Sequence, residues 1–315
     1  MMKCCVKFLV GFVLIFPIVF SCSEEQPPSR KRITENIIVV IIDGARYSET
    51  WGDTTKLIMP YLHDLSKFGI INTKFYNKGP TYTLAGHVGV TTGNYQEIDN
   101  SGKELPKKPS YIQKYNLTTQ SEKERSWIIA SKDKLEVLSN TLDTSFFNKN
   151  MPSVNCGING LGTGNRADSV TFKVLLETLS AKYPKLVLVN FSEPDYSGHN
   201  NNWGKYIESI RRADLYVYRI WEFIQSDPFY KDKTALFVTN DHGRHLDGVA
   251  DGFVSHGDGC DGCRHLMFYA YGPDFKEGRI LDNERELIDI PATIYNLLRL
   301  ESIDGQGKVM EELFK

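Results

Sequence analysis

Apolar residues along this chain gather into short unbroken runs, separated by longer stretches with helical spacing. Ile37 to Ile42, Leu186 to Phe191 and Thr234 to Asn240 are of strand length and rich in β-branched residues. They do not alternate with polar positions, so they predict strands buried on both faces, as in a parallel sheet. Further strands are predicted at Ile70–Tyr76, Trp127–Ala130 and His265–Tyr271. Between them, Leu57, Ile58, Tyr61, Leu62 and Leu65 predict a helix over Thr54–Phe68, stopped by Gly69. Ala167–Tyr183, Trp203–Gln225 and Leu287–Leu298 carry the same periodicity, and Gly79-Pro80 leads into a helix of small residues. This alternation predicts an α/β fold: a three-layer sandwich with a mainly parallel central sheet flanked by helices. Residues 94–165 are polar and end in the glycine-rich Cys156–Gly164, so they read as an insert within a domain running from 35 to 315. The Gly-x-Gly near Gly162 follows no strand and reads as loop.

The first residues stand apart from this pattern. Lys3 and Lys7 flank an apolar run from Phe8 to Phe20, a signal-peptide core too short to span a bilayer comfortably. Val19-Phe20-Ser21-Cys22 resembles a bacterial lipoprotein cleavage box, with Cys22 as the lipid-bearing residue, and Ser23-Glu24-Glu25 resembles the acidic export signal of surface lipoproteins. These features predict a signal peptide over 1–21, a lipidated tether over 22–34, and a place in the bacterial cell envelope. The protein is then an outer-membrane lipoprotein facing the periplasm or the cell surface.

Composition narrows the function classes. With 315 residues and 41% hydrophobic content the chain can bury a full α/β core. Its 37 basic and 39 acidic residues give a net charge of −2, with no electrostatic case for nucleic acid. Of six cysteines, Cys156, Cys260 and Cys263 remain past Cys22, in a compartment that permits disulfides. Cys260-x-x-Cys263 has half the spacing of a zinc ribbon with no second cysteine pair, so a structural disulfide among the three is expected, its pairing left open.

The chemistry-bearing residues follow the predicted strands. Asp43 ends the first, Asp195 and His199 follow the second at i, i+4, and Asp241-His242 ends the third. In parallel sheets ligands gather at the carboxyl ends of strands. His256 lies in a later glycine-rich loop. Thr83 opens the small-residue helix, where free N–H groups favour an oxyanion, and His87 lies one turn on. Six Asp and His ligands suit two zinc ions with positions open to a substrate. Arg244 and His245 stand either within reach of a substrate or in a solvated loop.

These motifs resemble those of the alkaline phosphatase superfamily, in its type I phosphodiesterase/nucleotide pyrophosphatase branch. Asp43-Gly44 resembles the family's first metal aspartate, and Thr83-x-x-x-His87 its threonine nucleophile. Thr92-Gly93-x-Tyr95, Glu193-Pro-Asp195-x-x-Gly-His199, Asp241-His242-Gly243 and His256-Gly257 resemble the remaining motifs in order. The resemblance implies one Zn2+ held by Asp195, His199 and His256, and a second by Asp43, Asp241 and His242 with the Thr83 oxygen. It implies attack of Thr83 on phosphorus, a covalent phospho-threonine and a small-molecule phosphate ester as substrate. Asn100 best matches the family's phosphate-binding asparagine, with Asn94 as competitor.

A phosphomonoesterase or phosphonate monoester hydrolase of the same superfamily uses the same ligands and is the alternative. A sulfatase requires a C/S-x-P-x-R motif, and the chain has none. A surface binding lipoprotein without turnover would show the loss of a ligand, and none is lost.

Overall fold

The computed structural model describes residues 32–301 and 305–315. The signal peptide, Cys22 and most of the tether lie outside the described residues. In chain order the strands are β1 (Asn36–Ile42), β2 (Ile70–Asn72), β3 (Phe75–Tyr76), β4 (Ser126–Ala130), β5 (Ser153–Cys156), β6 (Leu186–Phe191), β7 (Thr234–Thr239), β8 (His265–Leu266), β9 (Phe268–Tyr271), β10 (Arg279–Leu281) and β11 (Arg285–Glu286). The helices are α1 (Pro60–Leu65), α2 (Thr83–Thr92), α3 (Tyr111–Thr119), α4 (Asp168–Lys182), α5 (Glu193–His199), α6 (Trp203–Ser226), α7 (Asp261–Arg264) and α8 (Asp289–Leu298).

Eight strands form one sheet in the order β10-β2-β9-β7-β1-β6-β4-β5. Only β9 runs against its neighbours β2 and β7; the other pairings are parallel. Every residue of β1 is buried, and its side chains divide by parity. Ile37, Val39 and Ile41 pack towards residues of α2, α3 and α8, while Ile38, Val40 and Ile42 pack towards α1, α4 and α6. Each such aliphatic side chain contributes about 1.5–3 kcal/mol when buried, which makes β1 the anchor of both layers. The three-layer architecture expected from the sequence is the one observed.

Residues 94–165 are more than an excursion. They supply α3 and the last two strands of the sheet, β4 and the edge strand β5, with β4 pairing to β6 from Ser126↔Leu186 to Ala130↔Asn190. Tyr111, Ile112, Leu135 and Leu138 join the core of one face. The signal is diluted because short strands and single turns bury few residues each.

Two other expectations change in length. The helix predicted over Thr54–Phe68 begins only at Pro60, because the Asp53 carboxylate accepts the N–H groups of Thr55, Leu57 and Ile58 and holds that stretch in a turn. Leu57 is accordingly 67% exposed. The runs Ile70–Tyr76 and His265–Tyr271 each split into two strands, one in the large sheet and one in the small sheet β11-β3-β8. No helix of the described residues is long and apolar enough to cross a membrane.

Candidate active site

The four adjacent strands β7, β1, β6 and β4 end at the same edge of the sheet, and each delivers a charged group there. β7 delivers Asp241 and His242, and β1 delivers Asp43. β6 leads through Ser192 into α5 and Asp195, and β4 leads to Lys132. The start of α5 is fixed by Asp168, whose carboxylate accepts the N–H groups of Ser192 and Glu193 at 2.7 and 2.9 Å. Burial, set against these bonds, pushes the Asp168 carboxyl up to about 7.

Asp43, Asp241 and His242 are fully buried. His242 Nε2 lies 3.5 Å from Asp43 Oδ1 and 3.4 Å from Asp241 Oδ2. None of these three atoms has a hydrogen-bond partner. Buried polar atoms are ordinarily satisfied, so three orphans converging on one point form a group that could hold a cation. The Nδ1 of His242 lies 2.9 Å from the Gly243 carbonyl, which requires Nδ1 to carry the proton and leaves Nε2 with its lone pair. Burial together with the neighbouring His256 lowers the His242 pKa to about 3, against the pull of Asp241 and Asp195, so the ring is neutral and competent as a ligand.

A second cluster adjoins the first. Asp195 Oδ1 lies 3.4 Å from His199 Nε2 and 3.3 Å from His256 Nε2, and the two imidazole nitrogens are 3.1 Å apart. His256 donates from Nδ1 to the Thr81 carbonyl at 2.9 Å, which again aims Nε2 inward. Its ring stacks on His242 at 3.7 Å, and the ligand atoms of Asp195, His242 and His256 also converge. His242 thus borders both clusters. Nitrogen and carboxylate donors in two adjoining sets fit zinc.

Thr83 is the first residue of α2, and its Oγ1 accepts a hydrogen bond from Lys132 Nζ at 2.9 Å. The next N–H, that of Leu84, donates to Asn100 Oδ1 at 3.0 Å, and Lys134 Nζ donates to the same oxygen at 2.9 Å. Asn100 therefore borders the start of α2 at Thr83, whereas Asn94 turns back on Thr92. The small residues of α2 have a steric cause. A Cβ on Gly86 would stand 2.5 Å from the Asp241 carbonyl oxygen, so only glycine lets the helix approach the end of β7. His87 donates to the Thr83 carbonyl and accepts from Asn190 Nδ2, which also donates to Asp43 Oδ2. A cleft of about 700 Å3 opens over Thr83, Asn100, Lys132, Asp195, His199 and His256.

The structure brings all the sequence-predicted residues of the domain to this edge, and it adds groups that the pattern did not reveal. Lys132 is the foremost, with Asp195 Oδ2 at 2.7 Å and Asp43 Oδ2 at 3.0 Å. Burial disfavours its charge, but the carboxylates of Asp195, Asp43 and Asp241 outweigh it and hold the ammonium above its ordinary pKa. Reciprocally, Lys132 and its neighbours hold Asp195 well below the usual carboxylate range despite burial. Arg244 and His245 are not in a solvated loop: both are buried, and Arg244 Nη1 donates to Asp195 Oδ1 at 2.5 Å. The expected disulfide is absent among the described residues. Cys156 is buried in the edge strand β5, while Cys260 and Cys263 remain thiols.

The family model described as type I phosphodiesterase/nucleotide pyrophosphatase matches residues 37–245, more than half of the chain. A curated relative, the 2,3-bisphosphoglycerate-independent phosphoglycerate mutase of Onchocerca volvulus, is 25% identical over 141 residues, 44% of this chain. The match spans only 26% of that enzyme. Among solved structures, an inactive variant of murine ectonucleotide pyrophosphatase/phosphodiesterase 5 in complex with AMP superposes with a TM-score of 0.65 at 15% identity, covering 89% of this chain and 100% of the other. A phosphonate monoester hydrolase from Silicibacter pomeroyi superposes at 0.58 with 13% identity, covering 88% and 76%. An alkaline phosphatase superfamily protein from Vibrio parahaemolyticus superposes at 0.63 with 18% identity, covering 91% and 71%. At these identities the superpositions establish the fold.

Proposed function

Because this chain belongs to the type I phosphodiesterase/nucleotide pyrophosphatase family, whose chemistry is phosphate-ester hydrolysis, we propose that it cleaves small-molecule phosphate esters with Thr83 as nucleophile and two zinc ions as cofactors. The observation that carries this reading is the convergence of the orphaned atoms Asp43 Oδ1, Asp241 Oδ2 and His242 Nε2 at the sheet edge that also presents Thr83. One ion would be held by those three residues and the other by Asp195, His199 and His256. When bound, zinc supplies Lewis-acid charge that lowers the pKa of a hydroxyl and neutralises phosphoryl oxygens.

The chain's own residues account for the rest. Thr83 Oγ attacks phosphorus in line as its hydroxyl proton passes to solvent, and the bond to the leaving oxygen breaks. That oxygen takes up a proton from water and departs as the alcohol, and a phospho-threonine forms. Water then attacks the same phosphorus and returns Thr83 with release of the phosphate product. Lys132 donates to Thr83 Oγ1, so it would stabilise negative charge on that oxygen as the hydroxyl loses its proton. Asn100 and Lys134 line the cleft with Thr83 and would donate to a non-bridging phosphoryl oxygen. Arg244 holds Asp195 in place.

Lys132 on Thr83 Oγ1 and Lys134 on the neighbouring Asn100 favour a second reading. A terminal phosphoryl group carries more negative charge than a diester, so Lys132 and Lys134 suit a phosphomonoester or a phosphonate monoester. The leader segment further supports an envelope location, with Cys22 as the anchor.

Hydrolysis of aryl phosphodiester, aryl phosphate monoester, phenyl phosphonate ester and aryl sulfate by the zinc-loaded protein, beside Thr83→Ala, tests the function and separates the two readings. Thr83-dependent turnover is expected, and its preference assigns the ester class. Full activity of Thr83→Ala would remove the nucleophile from the scheme.

A further inference from the structure

A separate cluster of ligating side chains lies outside the cleft, and the hydrolytic chemistry leaves it unexplained. Cys260 and Cys263 flank the first turn of α7, and their sulfurs are 3.5 Å apart. His245 Nε2 lies 3.3 Å from Asp258 Oδ1, and one ligand atom from each of the four residues falls within 4.8 Å of all the others. A tetrahedral ion with bonds of about 2.0–2.3 Å has edges of roughly 3.3–3.8 Å between its ligand atoms. Both measured contacts, sulfur to sulfur and nitrogen to oxygen, are of that length.

His245 supplies an independent pointer. It is 6% exposed, yet its Nε2 has no hydrogen-bond partner. Its Nδ1 lies 2.8 Å from Asp251 Oδ1, and that carboxylate also accepts the Ser255 hydroxyl at 2.7 Å. A carboxylate on one imidazole nitrogen, with the other aimed at a cluster of thiols, is the arrangement that orients a metal-ligating histidine. We propose that His245, Asp258, Cys260 and Cys263 bind a structural zinc ion at a third site, distinct from the two clusters over Thr83. Two thiolates with one imidazole and one carboxylate select zinc over magnesium or calcium. Four protein ligands leave no position for substrate, so the site is structural. On binding, the two thiols release their protons to solvent.

The ion ties together the segments that carry active-site residues. Gly243 donates its N–H to the Cys263 carbonyl at 2.8 Å, and a Cβ on Gly243 would stand 2.0 Å from the Gly262 oxygen. Between these two backbones runs the loop holding His256, where the only regular structure is the short turn Gly252–Val254. Such a loop buries few apolar side chains, and a metal crosslink from His245 to Cys263 fixes it where packing does not.

The test uses the full chain as isolated, because its readout is sulfur ligation and both active-site clusters lack sulfur. X-ray absorption of the zinc protein is expected to show a Zn–S shell at about 2.3 Å, with two sulfurs per chain. Cobalt-loaded protein is expected to show a thiolate-to-cobalt charge-transfer band. Thr83→Ala retains both signals and Cys263→Ser loses them. Asp251→Asn, which keeps all four ligands, weakens zinc retention at the sulfur site about 10- to 100-fold in a chelator competition. A Cys260–Cys263 disulfide in non-reducing peptide maps of the protein as isolated would overturn the proposal. So would a metal-loaded protein with no sulfur shell and both thiols fully reactive. Neither outcome touches the hydrolase reading, which is tested separately by ester turnover and its dependence on Thr83.

Discussion

Lys132 Nζ donates to Thr83 Oγ1 at 2.9 Å while lying 2.7 Å from Asp195 Oδ2 and 3.0 Å from Asp43 Oδ2. One ammonium therefore touches the proposed nucleophile and a carboxylate from each proposed metal cluster. A buried cation so paired is costly to remove, because its partners are left as uncompensated buried charges.

Replacing Lys132 by methionine keeps the stem and deletes the charge. Loss of a preorganised donor at an oxyanion position lowers kcat by about 10²–10³, and kcat is expected to fall by that factor with zinc bound. Because the bound ions would compensate Asp43 and Asp195, thermal stability of the zinc-loaded variant should stay close to the parent. A kcat within tenfold of the parent would remove Lys132 from the chemistry.

Chelation is expected to abolish turnover and to lower the unfolding temperature together. Without a cation, Asp43 Oδ1, Asp241 Oδ2 and His242 Nε2 are buried and unpaired, and each carries a desolvation cost. Zinc at a hundred times its dissociation constant would restore about 2.7 kcal/mol per site. Thermal melts with chelator, zinc and magnesium check this. Equal melting temperatures in chelator and zinc would contradict the cation site at those three residues.

Much of this site was legible in the strands. Asp43, Asp195 and Asp241 each follow an apolar run that only a buried strand explains, so the rule of ligands at carboxyl ends found them. Lys132 obeys the same rule, standing just past the run Trp127–Ala130, but that run is short and lies in a polar segment. Lysine outside a metal set also carries no chemical signature of its own. Thr83 and Asn100 were legible as a motif, and their contact with Leu84 and the two lysines came only from the fold. His245 was obscured for a different reason. Its partners Cys260 and Cys263 read as members of a set of three cysteines expected to hold one disulfide of open pairing, and no periodicity links the loop after β7 to α7.

Gly44 illustrates a constraint that backbone geometry makes sharp. Its φ is +69°, and a Cβ there would stand 2.9 Å from both Arg244 Nη1 and Asp195 Oδ1. Gly44→Ala therefore pays about 1–2 kcal/mol for the left-handed backbone and also displaces the Arg244–Asp195 pair. Circular dichroism melts should show the stability loss, and kcat/KM should fall more than stability accounts for. An alanine variant with parental kcat/KM would show that this pair needs no fixed position.

Asp214 gives a pH prediction that involves none of the proposed metal ligands. Its carboxylate accepts the N–H groups of Tyr61 and Leu62 at 2.9 and 2.8 Å, where Pro60 opens α1. Burial nevertheless pushes its pKa up from 3.8 to about 7. Between those values the native carboxyl holds a proton that the unfolded chain has released, so stability is highest below pH 3.8 for this group and falls as pH rises to about 7. Asp214→Asn cannot titrate, so the variant lacks that part of the slope, and its stability relative to the parent improves across the window as pH rises. Urea unfolding of both proteins at several pH values between 4 and 7 measures the difference. Parallel curves would mean that the two backbone N–H groups, not burial, set the charge of this carboxylate.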